Sequence, residues 1–131
     1  MRKIVTIQKR NKLNDIYVGD DVGVGGAHHN YLIVKADTVK VEGDAIVLQP
    51  ENIVDEISFQ HGARKEEGSI TGVLDSDLLE IVRDRLFDFQ KGEFATRENA
   101  IALTHIEEAL LWLNKRAEDR AERGVLGTMK K

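Results

Sequence analysis

Two different patterns of hydrophobic positions divide the chain near residue 75. Before that residue, short β-branched runs alternate with clusters of Gly, Asn and Asp, which is typical of short strands joined by turns. After it, apolar residues recur every three or four positions, which is the period of an amphipathic helix. The sequence therefore predicts an α+β protein, with a β-rich part over residues 1–74 and a two-helix hairpin over residues 75–131.

The β-rich part is predicted to form a small antiparallel sheet. Gly43-Asp44 lies between two short runs and has the composition of a hairpin turn. Pro50 lacks a backbone N–H, so it is expected to close the strand that precedes it. The predicted strands cover Lys3–Gln8, Asp15–Val18, Tyr31–Lys35, Thr38–Val41, Ala45–Leu48 and Ile57–Gln60.

Two helices are predicted in the second part. The first begins at Asp77-x-x-Glu80, which resembles a capping box, and ends at Lys91-Gly92, where glycine suits a left-handed C-terminal cap. The second runs from near Thr96 to about Arg123, and therefore extends about 42 Å at 1.5 Å per residue.

The second helix carries an apolar heptad seam that is longer than the first helix can cover. We therefore expect the excess, together with Trp112, to pack against another subunit or the sheet, and self-association is the simpler interpretation. The seam residues are Leu103, Ile106, Leu110, Leu113 and Ala117.

Composition and charge exclude several classes of protein. The 19 Lys and Arg residues against 23 Asp and Glu give a net charge of -4, which provides no general attraction to a nucleic-acid polymer. The absence of cysteine excludes disulfide frameworks and thiolate zinc sites. The sequence has neither a signal-peptide pattern nor a run of about 18 apolar residues, so we expect a cytoplasmic protein with no membrane partner.

No recognisable motif for catalysis or metal binding is present. The glycine-rich stretch 19–26 lacks the Gly-Lys-Ser/Thr ending of a phosphate loop, which favours a flexible or pocket-edge loop. His28 and His29 would point to opposite faces of an extended segment, and His105 with Glu108 lacks the second copy that a di-iron bundle requires. No serine lies in a nucleophile elbow. We therefore expect no enzyme activity, metal or cofactor.

Several helix-associated side chains suit a small anionic nucleotide. Arginine binds phosphate bidentately, an aromatic ring stacks a base, and asparagine hydrogen-bonds a base or ribose edge. The same residue types also have ordinary structural roles, as solvated or Glu-paired arginines and a core phenylalanine. The candidates are Phe89, Asn99, Arg97, Arg116, Arg120 and, after the last predicted strand, Arg64.

Several uncommon segments occur in an order that carries a family resemblance. They are Ile57–Gly62, Ile70–Val73, Phe89–Thr104, Glu107–Leu113 and Arg123–Thr128. Over residues 57–128 the chain resembles the helical hairpin that two phage anti-defence families share. One is the anti-CBASS cyclic-nucleotide sponge, which is essentially that hairpin alone. The other is the Thoeris anti-defence sponge, which adds an N-terminal β-rich part. With Gly25–Tyr31 in a β-rich half, the chain resembles the Thoeris family over nearly its full length.

The resemblance implies a protein that sequesters glyco-cyclic ADP-ribose (gcADPR), the signal made by host TIR-domain enzymes, without altering it. By similarity, the gcADPR pocket lies between sheet and hairpin at a dimer contact. Phe89 would stack a base, Asn99 would hydrogen-bond, and Arg64, Arg116 and Arg120 would hold the pyrophosphate and ribose. The implied location is the host bacterial cytoplasm, with a phage or prophage gene.

A second ligand site is also implied. Some members bind cyclic di- or trinucleotides where three hairpins meet in a hexamer, a trimer of dimers, and the matching positions are Gly92 and Arg97. Relatives commonly have proline after that glycine, whereas this chain has Glu93, whose charge disfavours an anionic ligand. Two alternatives to a sponge stay open: an adaptor homo-oligomer that binds a protein partner through the seam, and an enzyme that hydrolyses the nucleotide.

Overall fold

The computed structural model describes residues 1–8 and 12–131, and its elements confirm the predicted α+β fold. It divides into two compact units, which we call the sheet unit (Met1–Gly62 and Ile70–Gly72) and the hairpin unit (Ala63–Ser69 and Val73–Lys131). The strands of the described residues are β1 (Arg2–Lys3), β2 (Asn14–Val18), β3 (Asn30–Lys35), β4 (Lys40–Glu42), β5 (Ala45–Val47) and β6 (Ile53–Ser58). The helices are α1 (Asp75–Gln90) and α2 (Arg97–Glu122), with short 3-10 turns at Val24–Gly26 and Pro50–Asn52.

The sheet unit contains a four-stranded antiparallel sheet in the order β1-β2-β3-β6 and a separate β4-β5 hairpin. Val34 in β3 is fully buried, and it lies opposite Asp15 of β2 in the strand register. Tyr17 lies two residues along β2 and is also buried, because alternate residues share a face. These residues form a small core on one face of the two inner strands, and Val18, the next residue of β2, is buried on the opposite face.

The predicted β4-β5 turn is confirmed, whereas three predicted strands have the wrong bounds. The strand predicted over Thr38–Val41 instead covers Lys40–Glu42. Glu42 pairs with Ala45, and Gly43 has a φ of 63° at the first loop position, as a type II′ turn requires. The strand predicted over Lys3–Gln8 ends at Lys3, because beyond Ile4 its side chains extend into solvent without a paired neighbour. The strand predicted over Ile57–Gln60 instead covers Ile53–Ser58, because the chain turns at Pro50 and pairs with β3 from Ile53 onward.

Two details predicted for α1 are wrong. Asp77 is not the N-cap: α1 begins at Asp75, and the Asp77 carboxylate accepts a hydrogen bond from the Leu74 N–H at 2.8 Å. This carboxylate still satisfies a donor at the helix start, but from the third helical position. Gly92 does not adopt the left-handed conformation: α1 ends at Gln90, its C-cap residue Lys91 has a φ of -81°, and the Gly92 N–H donates to the Phe89 carbonyl.

The predicted bounds of α2 are confirmed within one residue. Thr96 is the N-cap, and its hydroxyl accepts the Asn99 N–H at 3.0 Å. At the other end Gly124 has a φ of 71°, and the Val125 N–H donates to the Arg120 carbonyl, which completes a Schellman motif. Neither helix of the described chain is long and apolar enough to cross a membrane.

The two helices form an antiparallel hairpin. Arg83 of α1 pairs with Glu107 of α2 at 2.9 Å, and the α2 seam is half-buried on this side. Because α2 has 26 residues and α1 has 16, α2 is ten residues longer, or about 15 Å at the rise of an α-helix. The last turns of α2 therefore extend beyond the start of α1.

A buried carboxylate links the first strands of the sheet unit. Asp15 is 4% exposed, and its carboxylate accepts hydrogen bonds from Lys12 Nζ at 2.8 Å and from the Asp37 N–H at 3.2 Å. Lys3 Nζ lies 3.3 Å from Asp15 Oδ1. The hydrogen bond from Lys12 is the main reason that the pKa of Asp15 lies below its usual value, despite the burial that opposes ionisation.

We expect this carboxylate to make the sheet unit sensitive to acid. Because the pKa of Asp15 is lower in the folded state, its stabilisation is complete above the unfolded pKa of about 3.9 and is lost as pH falls through the lower folded value. Urea unfolding from pH 7 to pH 2.5 measures this. Asp15→Asn should flatten the acid limb of the stability curve, and an unchanged acid limb in that variant would contradict the assignment.

Candidate functional site

Four of the predicted site residues lie where α1 is connected to α2, a region that we call the loop end: Phe89, Gly92, Arg97 and Asn99. The connection is closed by one side chain. Gln90 donates an amide N–H to the Thr96 carbonyl and accepts the Thr96 N–H, both at 3.0 Å. This reciprocal pair fixes the last turn of α1 against the start of α2, so the loop end has a defined geometry.

The side chains of the loop end present an aromatic face and an amide. Phe89 is 40% exposed, and the Arg85 guanidinium carbon lies 5.5 Å from its ring centroid. Asn99 is half-buried at the third position of α2, where its backbone N–H is already used by the Thr96 cap. Its side-chain amide extends from a turn that the cap holds in place. Gly92 and Arg97 are exposed.

The remaining predicted residues lie at the far end of α2, a region that we call the open end: Arg64, Arg116 and Arg120. Arg64 belongs to a segment that is tied to the C-terminal residues, because the Lys65 N–H donates to the Gly127 carbonyl at 2.9 Å. The Met129 N–H donates to the Glu66 carboxylate at 3.2 Å. The fold thus brings the Arg64 segment to the same end of the hairpin unit as Arg116 and Arg120.

Arg120 is held by the backbone that follows α2. Its guanidinium donates to the carbonyls of Val125 at 3.0 Å, Thr128 at 2.9 Å and Lys130 at 2.8 Å. A guanidinium has five N–H groups, so these bonds leave two for another acceptor. Arg120 therefore organises the C-terminal segment and keeps part of its donor capacity.

A groove of about 490 Å³ lies along the last turns of α2, and we call it the α2 groove. Its lining side chains carry five positive charges and one negative charge, a net of +4 on a chain whose overall charge is -4. Such local concentration of one sign attracts small anions even to an acidic protein. The lining residues are Trp112, Lys115, Arg116, Asp119, Arg120, Arg123 and Lys131.

Arg116 is a cation of this groove whose charge has no carboxylate partner among the described residues. Asp119 is engaged by Lys115 at 3.2 Å, and the Arg123 guanidinium donates to the Lys131 carbonyl at 2.6 Å. Arg116 is exposed and makes no hydrogen bond or ion pair within the described residues. Its planar guanidinium group is therefore available to donate two parallel hydrogen bonds to a phosphate or carboxylate.

One chain does not bring the loop end and the open end together. Asn99 and Arg116 are 17 positions apart on the same helix, which corresponds to about 25 Å along its axis. A single small nucleotide cannot contact both groups in one protomer. A pocket that uses both ends therefore requires a second copy of the chain.

Five lining residues of the α2 groove were not among the predicted site residues: Trp112, Lys115, Asp119, Arg123 and Lys131. The signal was present in the sequence. Trp112, Arg116 and Arg123 are spaced by four and seven residues, so they lie along one stripe of a helix. Because Trp112 was interpreted as part of the apolar seam, its alignment with Arg116 and Arg123 was not predicted.

The glycine-rich stretch of the sheet unit lies against histidines. The rings of His29 and His61 stack with centroids 4.5 Å apart, and His29 Nδ1 is buried without a hydrogen-bond partner in the described chain. Backbone N–H groups of His29 and Asn30 donate to the Asp20 carboxylate, so the pKa of Asp20 is below its usual value although burial opposes this.

The stacked rings of His29 and His61 are not arranged to chelate one metal, and residues 1–8 and 12–131 hold no group of three potential metal ligands.

The helical hairpin of this chain matches a known protein family. Residues 51–118, which are 68 of 131, match the family model described as "Acb2/Tad1, hairpin domain". Over 75 residues the chain is 51% identical to "Thoeris anti-defense 1" of Bacillus phage SBSphiJ7, and this covers 57% of the chain and 52% of the relative. The chain thus spans about half the length of the curated relative it matches. With its antiparallel helices and the matched segment covering more than half of its length, the chain belongs to the Acb2/Tad1 hairpin-domain family.

Proposed function

We propose that this protein is a phage anti-defence sponge that binds gcADPR without cleaving it and so prevents activation of the Thoeris effector. The observation that carries the proposal is the uncompensated Arg116 in a cationic groove on a hairpin of this family. The similarity to a protein named Thoeris anti-defense 1 supports the biological role. A pyrophosphate-containing nucleotide matches both the charge and the donors of this groove.

The pocket that we propose is shared between two protomers. Phe89 and Asn99 from the loop end of one copy would meet Arg64, Arg116 and Arg120 from the open end of another. The separation of about 25 Å between Asn99 and Arg116 supports this arrangement, because an antiparallel pairing of two α2 helices brings opposite ends together. Stacking, amide hydrogen bonds and arginine forks hold a nucleotide reversibly and require no covalent step.

Self-association would also cover apolar surface that one protomer leaves in solvent. Large hydrophobic side chains on the hairpin are more than half exposed, and each stabilises an interface when it is buried. They include Ile81, Phe94 and Leu111. We therefore propose a homo-oligomer, as a dimer or as a hexamer of three dimers, in which apolar contacts hold the copies together and polar residues bind the ligand.

A filtration experiment tests sequestration. Purified protein is mixed with purified gcADPR isomers and retained on a filter, and both the flow-through and the heat-denatured retentate are analysed by mass spectrometry. We expect depletion of gcADPR from the flow-through and recovery of the unaltered molecule after heating. Arg116→Ala should leave the ligand in the flow-through, whereas Lys40→Ala, on the exposed strand β4, should behave as the wild type.

Each other outcome identifies a different class of protein. A product of altered mass would identify an enzyme and contradict the proposal. Ligand that stays wholly in the flow-through would favour the adaptor alternative. Repeating the experiment with cyclic di- and trinucleotides tests the second site, for which Arg97 is an exposed cation with no ion pair in the described chain. Arg97→Ala should abolish that binding and leave gcADPR depletion intact.

A further inference from the structure

Trp112 is the one aromatic residue among those that line the α2 groove. It is 71% exposed, it is the single tryptophan of the chain, and it lies one helical turn before Arg116. The neighbouring seam residues Leu110 and Leu113 are half-buried. Trp112 therefore lies outside the intramolecular core and beside the cations of the groove.

The spacing of this stripe fits a nucleotide laid along the helix. From Trp112 to Arg123 there are eleven positions, or about 16 Å at the rise of an α-helix, with Arg116 between them. An indole face binds a nucleobase by stacking, and the arginines that follow bind phosphate. Arg123 donates one N–H to the Lys131 carbonyl and retains further donors.

We propose that Trp112 stacks on the base of the nucleotide whose phosphates are bound by Arg116 and Arg123, which makes it a base-binding residue of the α2 groove. This inference rests on the proposed function and adds to it a base-binding residue at the open end. The ligand class is a purine nucleotide with a diphosphate.

Charge favours a nucleotide over a protein surface as the occupant of this groove. A partner copy that filled the groove with no nucleotide between would bury Arg116 and Arg123, and buried charges destabilise an interface unless carboxylates pair with them. The lining itself offers one carboxylate, Asp119, which already pairs with Lys115. A nucleotide supplies the aromatic face and the negative charge in the same molecule.

Because the chain has one tryptophan, its fluorescence reports directly on this position. We expect gcADPR to quench the emission of the wild-type protein with the same midpoint as depletion in the filtration experiment. Inorganic pyrophosphate should compete with gcADPR while causing little quenching, since it has no base. Emission that changes on protein dilution and is unaffected by gcADPR would place Trp112 between copies of the chain and overturn the proposal.

Two variants separate stacking from folding and assembly. Trp112→Phe keeps an aromatic face, so its affinity for gcADPR should stay within about 5-fold of the wild type, whereas Trp112→Leu should lose about 5- to 100-fold. Depletion by filtration measures both affinities without using fluorescence, and light scattering confirms that both variants keep the wild-type mass. Equal affinity of Trp112→Leu and wild type would overturn the stacking role alone. Failure of the wild type to deplete gcADPR would overturn the proposed function and this inference together.

Discussion

Mixing the Asn99→Ala and Arg116→Ala variants is expected to restore gcADPR sequestration that neither variant shows alone. Each substitution removes one contact to the ligand, at a cost of about 10- to 100-fold in affinity for a hydrogen bond to a charged or polar partner. The two residues lie about 25 Å apart on one helix, so each copy of the proposed shared pocket would take them from different protomers. A mixed dimer therefore contains one pocket with both substitutions and one pocket with neither.

The size of the rescue follows from the symmetry of the pairing. In a random mixture half of the dimers are mixed and each has one intact pocket, so about a quarter of all pockets recover wild-type affinity. Co-expression with two different tags allows the mixed species to be purified and titrated by filtration. The control is the Asn99→Ala, Arg116→Ala double variant co-expressed with itself, which should not deplete gcADPR. A mixed dimer without a high-affinity pocket would show that the shared-pocket arrangement is wrong.

Asp15→Ala is expected to destabilise the sheet unit more than any other single truncation of a charged side chain there. The substitution removes the acceptor for Lys12 and for the Asp37 N–H and leaves a cavity beside Val34. Loss of one partner from a buried, hydrogen-bonded charge cluster costs about 2–4 kcal/mol, somewhat less than for a fully buried pair because the lysines are partly exposed.

Hydrogen exchange followed by mass spectrometry measures this effect locally. Amides of β2 and β3 should exchange faster in Asp15→Ala, while the amides of α1 and α2 keep their protection. Asp15→Asn, which retains an acceptor, should fall between Asp15→Ala and the wild type. Asp44→Ala removes an exposed carboxylate in the β4-β5 turn and serves as the matched control. Unchanged protection of β2 in Asp15→Ala would refute the role assigned to this carboxylate.

The sequence predicted the parts of the fold that depend on local patterns. The heptad period, the Thr96 cap and Gly124 are local signals, and α2 begins and ends where they indicate. The left-handed cap predicted at Gly92 was wrong because such a cap is one of several ways to end a helix. Here the Gln90 side chain bonds to Thr96 and closes the connection instead. The bounds of β6 depend on which of its residues pair with β3, and this register is set by tertiary contacts rather than by the local sequence.

The site was less predictable because its geometry depends on the folded chain. The residue types at Phe89, Asn99 and Arg116 suggested a nucleotide, yet their arrangement in one pocket came from resemblance to a family. The sequence does contain the 17-position separation between Asn99 and Arg116, which argues for a shared pocket. The carbonyls that surround Arg120 come from residues five to ten positions later, and only the folded C-terminal segment brings them together.

These carbonyls have a consequence for the kinetics of capture. Because they already hold the Arg120 guanidinium in one conformation, a ligand that uses its two remaining N–H groups does not have to immobilise the side chain. Immobilising such a side chain costs about 0.5–1.5 kcal/mol in other complexes. Capture by a stoichiometric binder depends on its concentration and affinity, and slower release raises that affinity. In the proposed sponge, preorganisation of this arginine would therefore lengthen the residence time of the ligand without any added contact.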